Sequence, residues 1–225
     1  MTADERPDQD LAAEATRNRN RLRGLLTQFH PSPERVLGPR LDHPAVTHLL
    51  EQHGSPAALR KAGRRRLVTL IRPKAPRMAE RLVDEIVAAL DEQTVVVPGT
   101  TTLDVVVPSL ARSLAAVHEQ RRAVEAQIGE LLEAHPLSKV LTSMPGVGVR
   151  TAATLLVTVG DGTSFPTAAH LASYAGLAPA TKSSGSSIHG EHAPRTGNRL
   201  LKRAMFLSAF AALHHPDSRA YYDRQ

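Results

Sequence analysis

A regular seam of apolar residues constrains the fold of this chain more than any other feature. Nine positions follow one another at alternating spacings of four and three residues, and all but one are apolar: Leu103, Val107, Leu110, Leu114, Val117, Arg121, Val124, Ile128 and Leu131. This spacing gives an α-helix one apolar side and is typical of coiled coils. At 1.5 Å per residue it predicts a helix of about 50 Å over residues 101–134. Its apolar side packs either against a second copy of the chain, giving a homo-oligomer, or inside a helical bundle of one chain.

The segments on both sides of this seam also carry helical signals, so the predicted fold class is all-α. Apolar residues recur at helical spacing over residues 11–29, Ser55-Pro56 is typical of a helix start, and residues 78–90 are amphipathic. We therefore expect a disordered tail (1–10), a helical region (11–100), the coiled-coil helix (101–134) and a compact helical domain (135–225).

Charge and composition favour a nucleic-acid partner. The net charge is +6, residues 60–77 hold eight Lys and Arg and no acid, and residues 137–215 hold seven with only Asp161 and Glu191 as acids. The absence of Cys excludes disulfides and thiolate metal sites, and an aromatic content of 3% argues against base-stacking platforms. No apolar run is long enough to cross a bilayer, and the acidic N-terminus does not fit a signal peptide. We expect no membrane partner and a cytoplasmic location.

The turn Pro145-Gly146-Val147-Gly148 stands between two apolar stretches and resembles a helix-hairpin-helix. Gly146 and Gly148 allow backbone angles barred to other residues, so the chain can approach a phosphate closely. Free amides at the start of the next helix favour an anion, and Arg150 adds a positive charge. Such a contact positions DNA or RNA without reading its sequence. A tight turn between two packed helices would show the same pattern.

A serine-rich loop follows about forty residues later, and it places several hydroxyls among cations. Residues 182–187 read KSSGSS, with Lys182, His189, His192 and Arg195 close in sequence. A serine hydroxyl needs a base, a metal or nearby cations to become a nucleophile, whereas the same composition is also typical of a flexible linker. Asn198 is a good helix cap, and together with Lys182 and Arg195 it is expected to contact the nucleic acid. Arg195 can hold a phosphate through two hydrogen bonds. The helix after it is expected to present Arg199, Lys202 and Arg203 to phosphates and to turn Met205, Phe206, Ala209 and Phe210 toward the core.

The histidines do not predict a metal site. His189 and His192 lack the helical spacing of a zinc-protease pair, and no third ligand accompanies them.

Four motifs in order carry a family resemblance: MPGVGxxTAxxLL, FPxAxHLASYAGLAP, KSSGSSIHG and TGNRLLKRA. They resemble the C-terminal half of insertion-sequence transposases with a DEDD catalytic domain, the group related to the Piv invertase and also called bridge-RNA-guided recombinases. The similarity runs from about Leu11 to the last residue and is most specific over 137–215. It implies DNA as a partner, a guide RNA as an additional one, and a serine nucleophile that joins covalently to DNA. Ser184 matches the family serine, with Ser183 and Ser186 as alternatives if the register differs.

The resemblance also implies parts that the sequence does not show. The family has an N-terminal RuvC-like domain with four acidic metal ligands, so Mg²⁺ is expected there and no cofactor in this chain. The chain is expected to lack that domain, to stop before the family's C-terminus, and to be inactive by itself. Three functions remain open: a DNA-binding part of a transposase that carries the serine, a stand-alone helix-hairpin-helix module without catalysis, and a helical oligomerisation protein.

Overall fold

The chain forms two compact units, and the boundary between them falls between Arg122 and Ala123. A computed structural model describes residues 6–92, 102–184, 188–192, 194 and 196–224. The helices are α1 (Arg6–Phe29), α2 (Pro31–Leu37), α3 (Pro44–Gln52), α4 (Pro56–Ile71), α5 (Ala79–Glu92), α6 (Leu103–Glu133), α7 (Ser138–Thr142), α8 (Val149–Val159), α9 (Ala168–Tyr174), α10 (Arg199–Ala212) and α11 (Pro216–Tyr222). The all-α prediction is confirmed, with one two-stranded hairpin added to the helices.

Local signals set the helix starts of the N-terminal unit. The Ser55 Oγ accepts a hydrogen bond from the Ala58 amide at 3.1 Å, and Pro56 opens α4, as the sequence predicts. The first turn of α1 begins at Arg6, so residues 6–10, which we assigned to a disordered tail, are helical. Helix α4 bends at Gly63, whose φ of 72° lies in the left-handed region that glycine adopts without steric cost.

The first half of the apolar seam packs inside the N-terminal unit. Leu103, Val107, Leu114 and Val117 are all at most 4% exposed, and they belong to the same core as residues of α1 to α5. The coiled-coil prediction is therefore wrong for this half, because its apolar side is already buried by the same chain. Pro108 lies inside α6 and does not set its start. In the second half Leu131 is 69% exposed while its neighbour Leu132 is buried, so the seam does not continue as one buried line.

The C-terminal unit has a small core for its length. Leu155 of α8, Ala175 after α9 and Leu201 of α10 form its buried cluster, and Leu141, Val147, Val159 and Leu171 pack partly against it. Strands β1 (Ala180–Ser184) and β2 (Ile188–His192) pair antiparallel between α9 and α10. No helix in the described part of the chain is long and apolar enough to cross a bilayer.

Burial lowers the pKa of three histidines in the N-terminal unit. His30 is 2% exposed, and its burial lowers its pKa more than the Phe29 backbone and the Asp104 carboxylate raise it. Burial also lowers the pKa of His53 and of His118, the latter against the opposing effect of Asp42. In each case the folded state favours the neutral ring, whereas in the unfolded chain each histidine takes up a proton near its ordinary pKa of 6.5.

We therefore expect the N-terminal unit to keep its full stability above pH 6.5 and to lose stability as the pH falls below it. The unfolded chain then binds more protons than the folded one. Amide hydrogen exchange of α1 to α3, compared between neutral and mildly acidic buffer, measures the effect. The variant His30→Leu should flatten the profile. Equal protection at both pH values would contradict the prediction.

Candidate nucleic-acid interface

In the turn between α7 and α8, the sequence predicts a conformation barred to other residues at both Gly146 and Gly148. Only Gly146 adopts it. Gly146 has φ 78°, and a Cβ atom added there would lie 2.1 Å from the Ser208 backbone oxygen and 2.7 Å from the Ala212 nitrogen. The close approach at Gly146 is therefore made by the backbone of α10. The space that a side chain at Gly146 would take is filled by α10, and a phosphate contact at this glycine stays a prediction.

Gly148 differs from Gly146 in both respects. It is the N-cap of α8, with φ −91° and ψ −179°, an extended conformation open to any residue. No atom lies within 4 Å of an added Cβ, so the start of α8 is open on that side. The expectation that Gly148 supplies a conformation barred to other residues is wrong. Gly148 leaves the start of α8 accessible, and no side chain caps the first amides of this helix.

Arg150 stands in the first turn of α8 and is held by an acidic partner. Its Nη2 lies 3.2 Å from Glu125 Oε2, in the part of α6 that belongs to the C-terminal unit. The carboxylate offsets the positive charge that we expected at this turn. A phosphate at the start of α8 would have to compete with Glu125 for the guanidinium.

The serine-rich segment is the end of a β-hairpin. Ser184 pairs with Ile188, Ser183 with His189 and Lys182 with Gly190, so Ser184 occupies the last described register position of β1. The alternative nucleophile Ser186 and the cation Arg195 lie outside the described residues. The hairpin brings the backbone of Lys182 and Ser184 to one end of a two-stranded ladder, where the sequence predicts a loop.

Two glycines that the sequence analysis did not single out as a pair hold the base of this hairpin. Gly176 and Gly197 both have positive φ, 67° and 103°. A Cβ on Gly176 would lie 2.3 Å from the Thr196 oxygen, and one on Gly197 would lie 2.6 Å from the Gly176 nitrogen. The chain leaving α9 therefore crosses the chain entering α10 at backbone contact. Both glycines stand in the quoted motifs, in YAGL and in TGN. Because about twenty residues separate them, no local pattern indicates that they are in contact.

Asn198 fixes the start of α10 next to this crossing. Its Oδ1 accepts hydrogen bonds from the Leu200 and Leu201 amides at 3.1 and 3.0 Å, as expected of a cap. Its Nδ2 donates to the Tyr174 hydroxyl at 2.9 Å, and its backbone amide donates to the Tyr174 carbonyl. Asn198 thus joins α9 to α10, and both polar atoms of its side chain have hydrogen-bond partners within the chain.

The cations of α10 fall into two kinds. Lys202 Nζ donates to the Pro194 carbonyl at 3.1 Å, which ties the helix to the segment before it. Arg199 and Arg203 are exposed, and neither makes an ion pair or a hydrogen bond with the described part of the chain. Because α10 contains no acid in its sequence, these two guanidiniums face solvent with no carboxylate on their own helix.

The large apolar residues of α10 do not face the core. Leu201, Ala204 and Ser208 form its buried side, whereas Phe206 and Phe210 are 66% and 65% exposed. Met205 and Ala209 are exposed as well. The prediction that Met205, Phe206, Ala209 and Phe210 face inward is therefore wrong, because Leu201 and the small residues Ala204 and Ser208 take the contact side of this helix.

The basic stretch 60–77 is less free than its sequence suggests. Arg64 contacts Asp84 at 2.7 Å and Arg72 contacts Glu80 at 2.8 Å, both on α5. Arg60 donates to the Leu90 carbonyl. The neighbouring helix therefore supplies carboxylates for two of the eight cations in this stretch.

Acidic groups in the described C-terminal unit do not assemble into a metal site. Asp161 accepts hydrogen bonds from the Thr163 hydroxyl at 2.7 Å and from its amide at 3.0 Å, which lower the pKa of the carboxyl. Across the described ranges, no group of three or more His, Asp or Glu could hold a metal ion.

The segment that contains this interface is similar to a known protein family. Residues 138–223 match the family described as Transposase IS116/IS110/IS902 family. This segment belongs to the IS116/IS110/IS902 transposase family. The family match covers the PGVG turn, the serine hairpin and α10, and it confirms the resemblance drawn from the four motifs at the level of the family.

Relatives of this transposase family extend the similarity over nearly the whole chain. The Streptomyces coelicolor protein named "Insertion element IS110 uncharacterized 43.6 kDa protein" is 84% identical over 219 residues, 97% of this chain and 54% of the relative. The "Insertion element IS116 uncharacterized 44.8 kDa protein" of Streptomyces clavuligerus is 35% identical, covering 95% of this chain and 53% of the relative. The "Pilin gene-inverting protein" of Moraxella lacunata is 42% identical over 91 residues, 38% of this chain and 28% of the relative. The chain thus spans about half the length of the first two.

Proposed function

We propose that the C-terminal unit binds DNA during transposition or a related site-specific recombination, and that its hairpin supplies Ser184 as the nucleophile. The family and the names of its relatives, insertion elements and a gene-inverting protein, support a role in DNA rearrangement. The observation that carries DNA binding is the pair Arg199 and Arg203, exposed on a helix without acids. Arginine offers a planar set of donors that matches phosphate oxygens.

The phosphate contact at the PGVG turn is proposed for the start of α8 rather than for Gly146. Gly148 leaves that start open, and uncapped amides at a helix N-terminus favour an anion. Arg150 would join the contact only after exchanging Glu125 for the phosphate. Lys202, held by Pro194, would keep two of its three donors for a ligand.

The proposed chemistry is a transesterification at phosphorus. The Ser184 hydroxyl gives up its proton to a base, its Oγ bonds to a backbone phosphorus, and one bond from that phosphorus to a deoxyribose oxygen breaks. The departing oxygen takes up a proton, so one phosphodiester is exchanged for another and no external energy source is needed. Cations near the hairpin, Lys182 and Arg195 by sequence, would stabilise the charge on the phosphate oxygens. An acidic domain with Mg²⁺ and a guide RNA belong to the same proposal.

We expect the double variant Arg199→Ala/Arg203→Ala to weaken binding to duplex DNA of any sequence. Two lost phosphate contacts should reduce the slope of log affinity against log salt by up to about 2. The measurement is fluorescence anisotropy of a labelled duplex over a series of salt concentrations. Because phosphate contacts carry no sequence information, two unrelated duplexes should lose affinity by the same factor.

A matched control removes the same charge elsewhere. The variant Arg64→Ala/Arg72→Ala also removes two arginines, so its change in net charge is identical. These two arginines already pair with Asp84 and Glu80. This control should keep most of the affinity and slope. If both doubles behave alike, the effect is one of net charge, and α10 is not the contact surface.

The alternative of a binding module without catalysis predicts the same anisotropy result. It differs in chemistry, because no covalent protein–DNA adduct would form under any condition. The uncapped helix start at Gly148 is the observation that favours it.

A further inference from the structure

The exposed side of α10 combines charge and aromatic rings in a single stripe. Arg199, Arg203, Phe206 and Phe210 follow at spacings of four, three and four residues, which keeps them on one side of a helix. All four side chains are exposed, and the buried residues Leu201, Ala204 and Ser208 lie on the opposite side. We call these four residues the α10 stripe.

The two phenylalanines of the α10 stripe are exposed at an energetic cost. Each leaves about two thirds of its surface in water, although burying such a ring against a partner is favourable. Single exposed apolar residues need no explanation, but two rings one turn apart on a solvent-facing helix form a patch. The patch continues directly into two arginines, so a partner that covers the rings also meets two positive charges.

We propose that the α10 stripe binds unpaired nucleotides, with Arg199 and Arg203 on the phosphates and Phe206 and Phe210 on the faces of bases. The low aromatic content of the chain argued against a base-stacking platform, but two of its four phenylalanines are exposed one turn apart on this helix. This inference rests on the proposed nucleic-acid function and specifies which form of nucleic acid the interface takes. The argument is charge complementarity: the arginines have no acidic partner in the described chain, and a nucleic acid is a partner that offers anions and flat apolar faces in alternation.

The geometry of the helix selects unpaired over duplex nucleotides. Phe206 and Phe210 are one turn apart, about 6 Å along the axis, whereas bases in a duplex strand follow at about 3.4 Å. Base faces inside a duplex are covered by their neighbours. A ring on a protein surface therefore reaches a base face only where bases have left the stack, as in a single strand, a bulge or a melted junction.

The two halves of the stripe differ in their response to salt. Contacts from arginines to phosphates release counterions and weaken as salt rises. Stacking of a base on phenylalanine involves no ion release and accepts any base, because every base has a flat face. Loss of the rings should therefore lower affinity without changing the salt slope.

The test compares the whole chain with Phe206→Ala/Phe210→Ala, using single strands of thymidine or uridine nucleotides and a duplex of equal length. About twelve nucleotides are long enough for a site of this kind. We expect the double variant to bind single strands at least about tenfold more weakly, with an unchanged salt slope, and to bind the duplex with less than about twofold change. Phe206→Tyr should retain most of the affinity. Both rings are exposed, so neither change removes core packing.

A control lies on the same helix but off the stripe. Met205 is 36% exposed, and at about 100° per residue it lies at least about 100° away from every member of the stripe. Met205→Ala removes exposed apolar surface and should leave single-strand affinity unchanged. The phenylalanine variant is compared on the DNA and the RNA single strand. The strand that it binds with the larger loss of affinity identifies the source of the unpaired nucleotides.

Several outcomes overturn the proposal. One is an unchanged single-strand affinity in the phenylalanine variant, and another is an equal loss on duplex and single strand. A third is a variant that sediments as a smaller species while its single-strand affinity stays intact, because the stripe would then be a contact with a second copy of the chain. If the unmodified chain binds no nucleic acid, the proposed function fails too, whereas binding that ignores the rings rejects this inference alone.

Discussion

Replacing Gly146 with alanine is expected to unfold the C-terminal unit, whereas the same replacement at Gly148 is expected to leave it intact. At Gly146 the new Cβ atom would meet the Ser208 oxygen at 2.1 Å and the Ala212 nitrogen at 2.7 Å. Both are backbone atoms of α10, so no side chain can rotate away. The positive φ adds strain of about 1–2 kcal/mol for any residue with a Cβ.

The combined cost at Gly146 is about 3–5 kcal/mol, which is a large part of the stability of an ordinary domain. The C-terminal unit has few buried residues to offset it. At Gly148 the φ of −91° suits alanine and nothing lies within 4 Å, so the change should stay within about 0.5 kcal/mol.

Amide hydrogen exchange of the peptides that cover α8 and α10 separates the two variants. It reads the C-terminal unit alone, which a single melting curve of a two-unit chain does not. We expect Gly146→Ala to lose protection in both helices while α1 to α5 keep theirs. Native protection in Gly146→Ala would mean that α10 does not pack against this turn.

Ser184→Ala is expected to abolish the covalent protein–DNA adduct of the reconstituted reaction. A separately supplied RuvC-like domain would provide the carboxylates and Mg²⁺ that the family resemblance implies, and the 225-residue chain would provide the serine. Loss of a nucleophile removes the bond-forming atom itself, so adduct formation should fall by at least about a thousandfold. Affinity for DNA should change little, since one neutral hydroxyl is lost. Denaturing gels of labelled DNA measure the adduct, and anisotropy measures the affinity.

The neighbouring serines provide the internal control. Ser183→Ala and Ser186→Ala should each leave most of the adduct. An adduct that persists in Ser184→Ala and disappears in one of these two would move the nucleophile along the strand. The chain without the added domain is expected to bind DNA and not to cleave it, so robust cleavage by the chain alone would contradict the assignment of the acidic groups to another domain.

Local signals in the sequence predicted the helices well. The helix start at Ser55-Pro56 and the amphipathic helix expected over residues 78–90 both occur as predicted. These features depend on residues within one or two turns of each other, through capping hydrogen bonds and helical spacing. Their physical cause is therefore visible in a short window of sequence.

Features that depend on distant partners were not predictable in the same way. The spacing in α6 required an apolar contact but did not reveal whether the same chain or a second copy provides it. In the structure the first half of the seam is buried in the N-terminal core. In α10 both sides carry apolar residues, so the pattern could not say which side packs on α8. The small residues Ala204 and Ser208 face inward, because the backbone at Gly146 comes close to α10.

The serine segment looks like a loop in the sequence because glycine and serine are poor strand formers. Its strands exist through pairing with each other, which a local propensity does not record. The missing signal was the contact of Gly176 with Gly197, which are distant in sequence.

That contact also bears on how the segment can vary. Because the backbone closes on itself where Gly176 meets Gly197, residues 177–196 form a ring whose ends are fixed whatever lies between them. The entropy of closing such a ring grows only with the logarithm of its length, about 0.6 kcal/mol for each doubling. Insertions or exchanges within it therefore cost the rest of the unit little, provided that both glycines stay. A change in length away from Ser184 would thus alter this segment without disturbing the helices on either side of it.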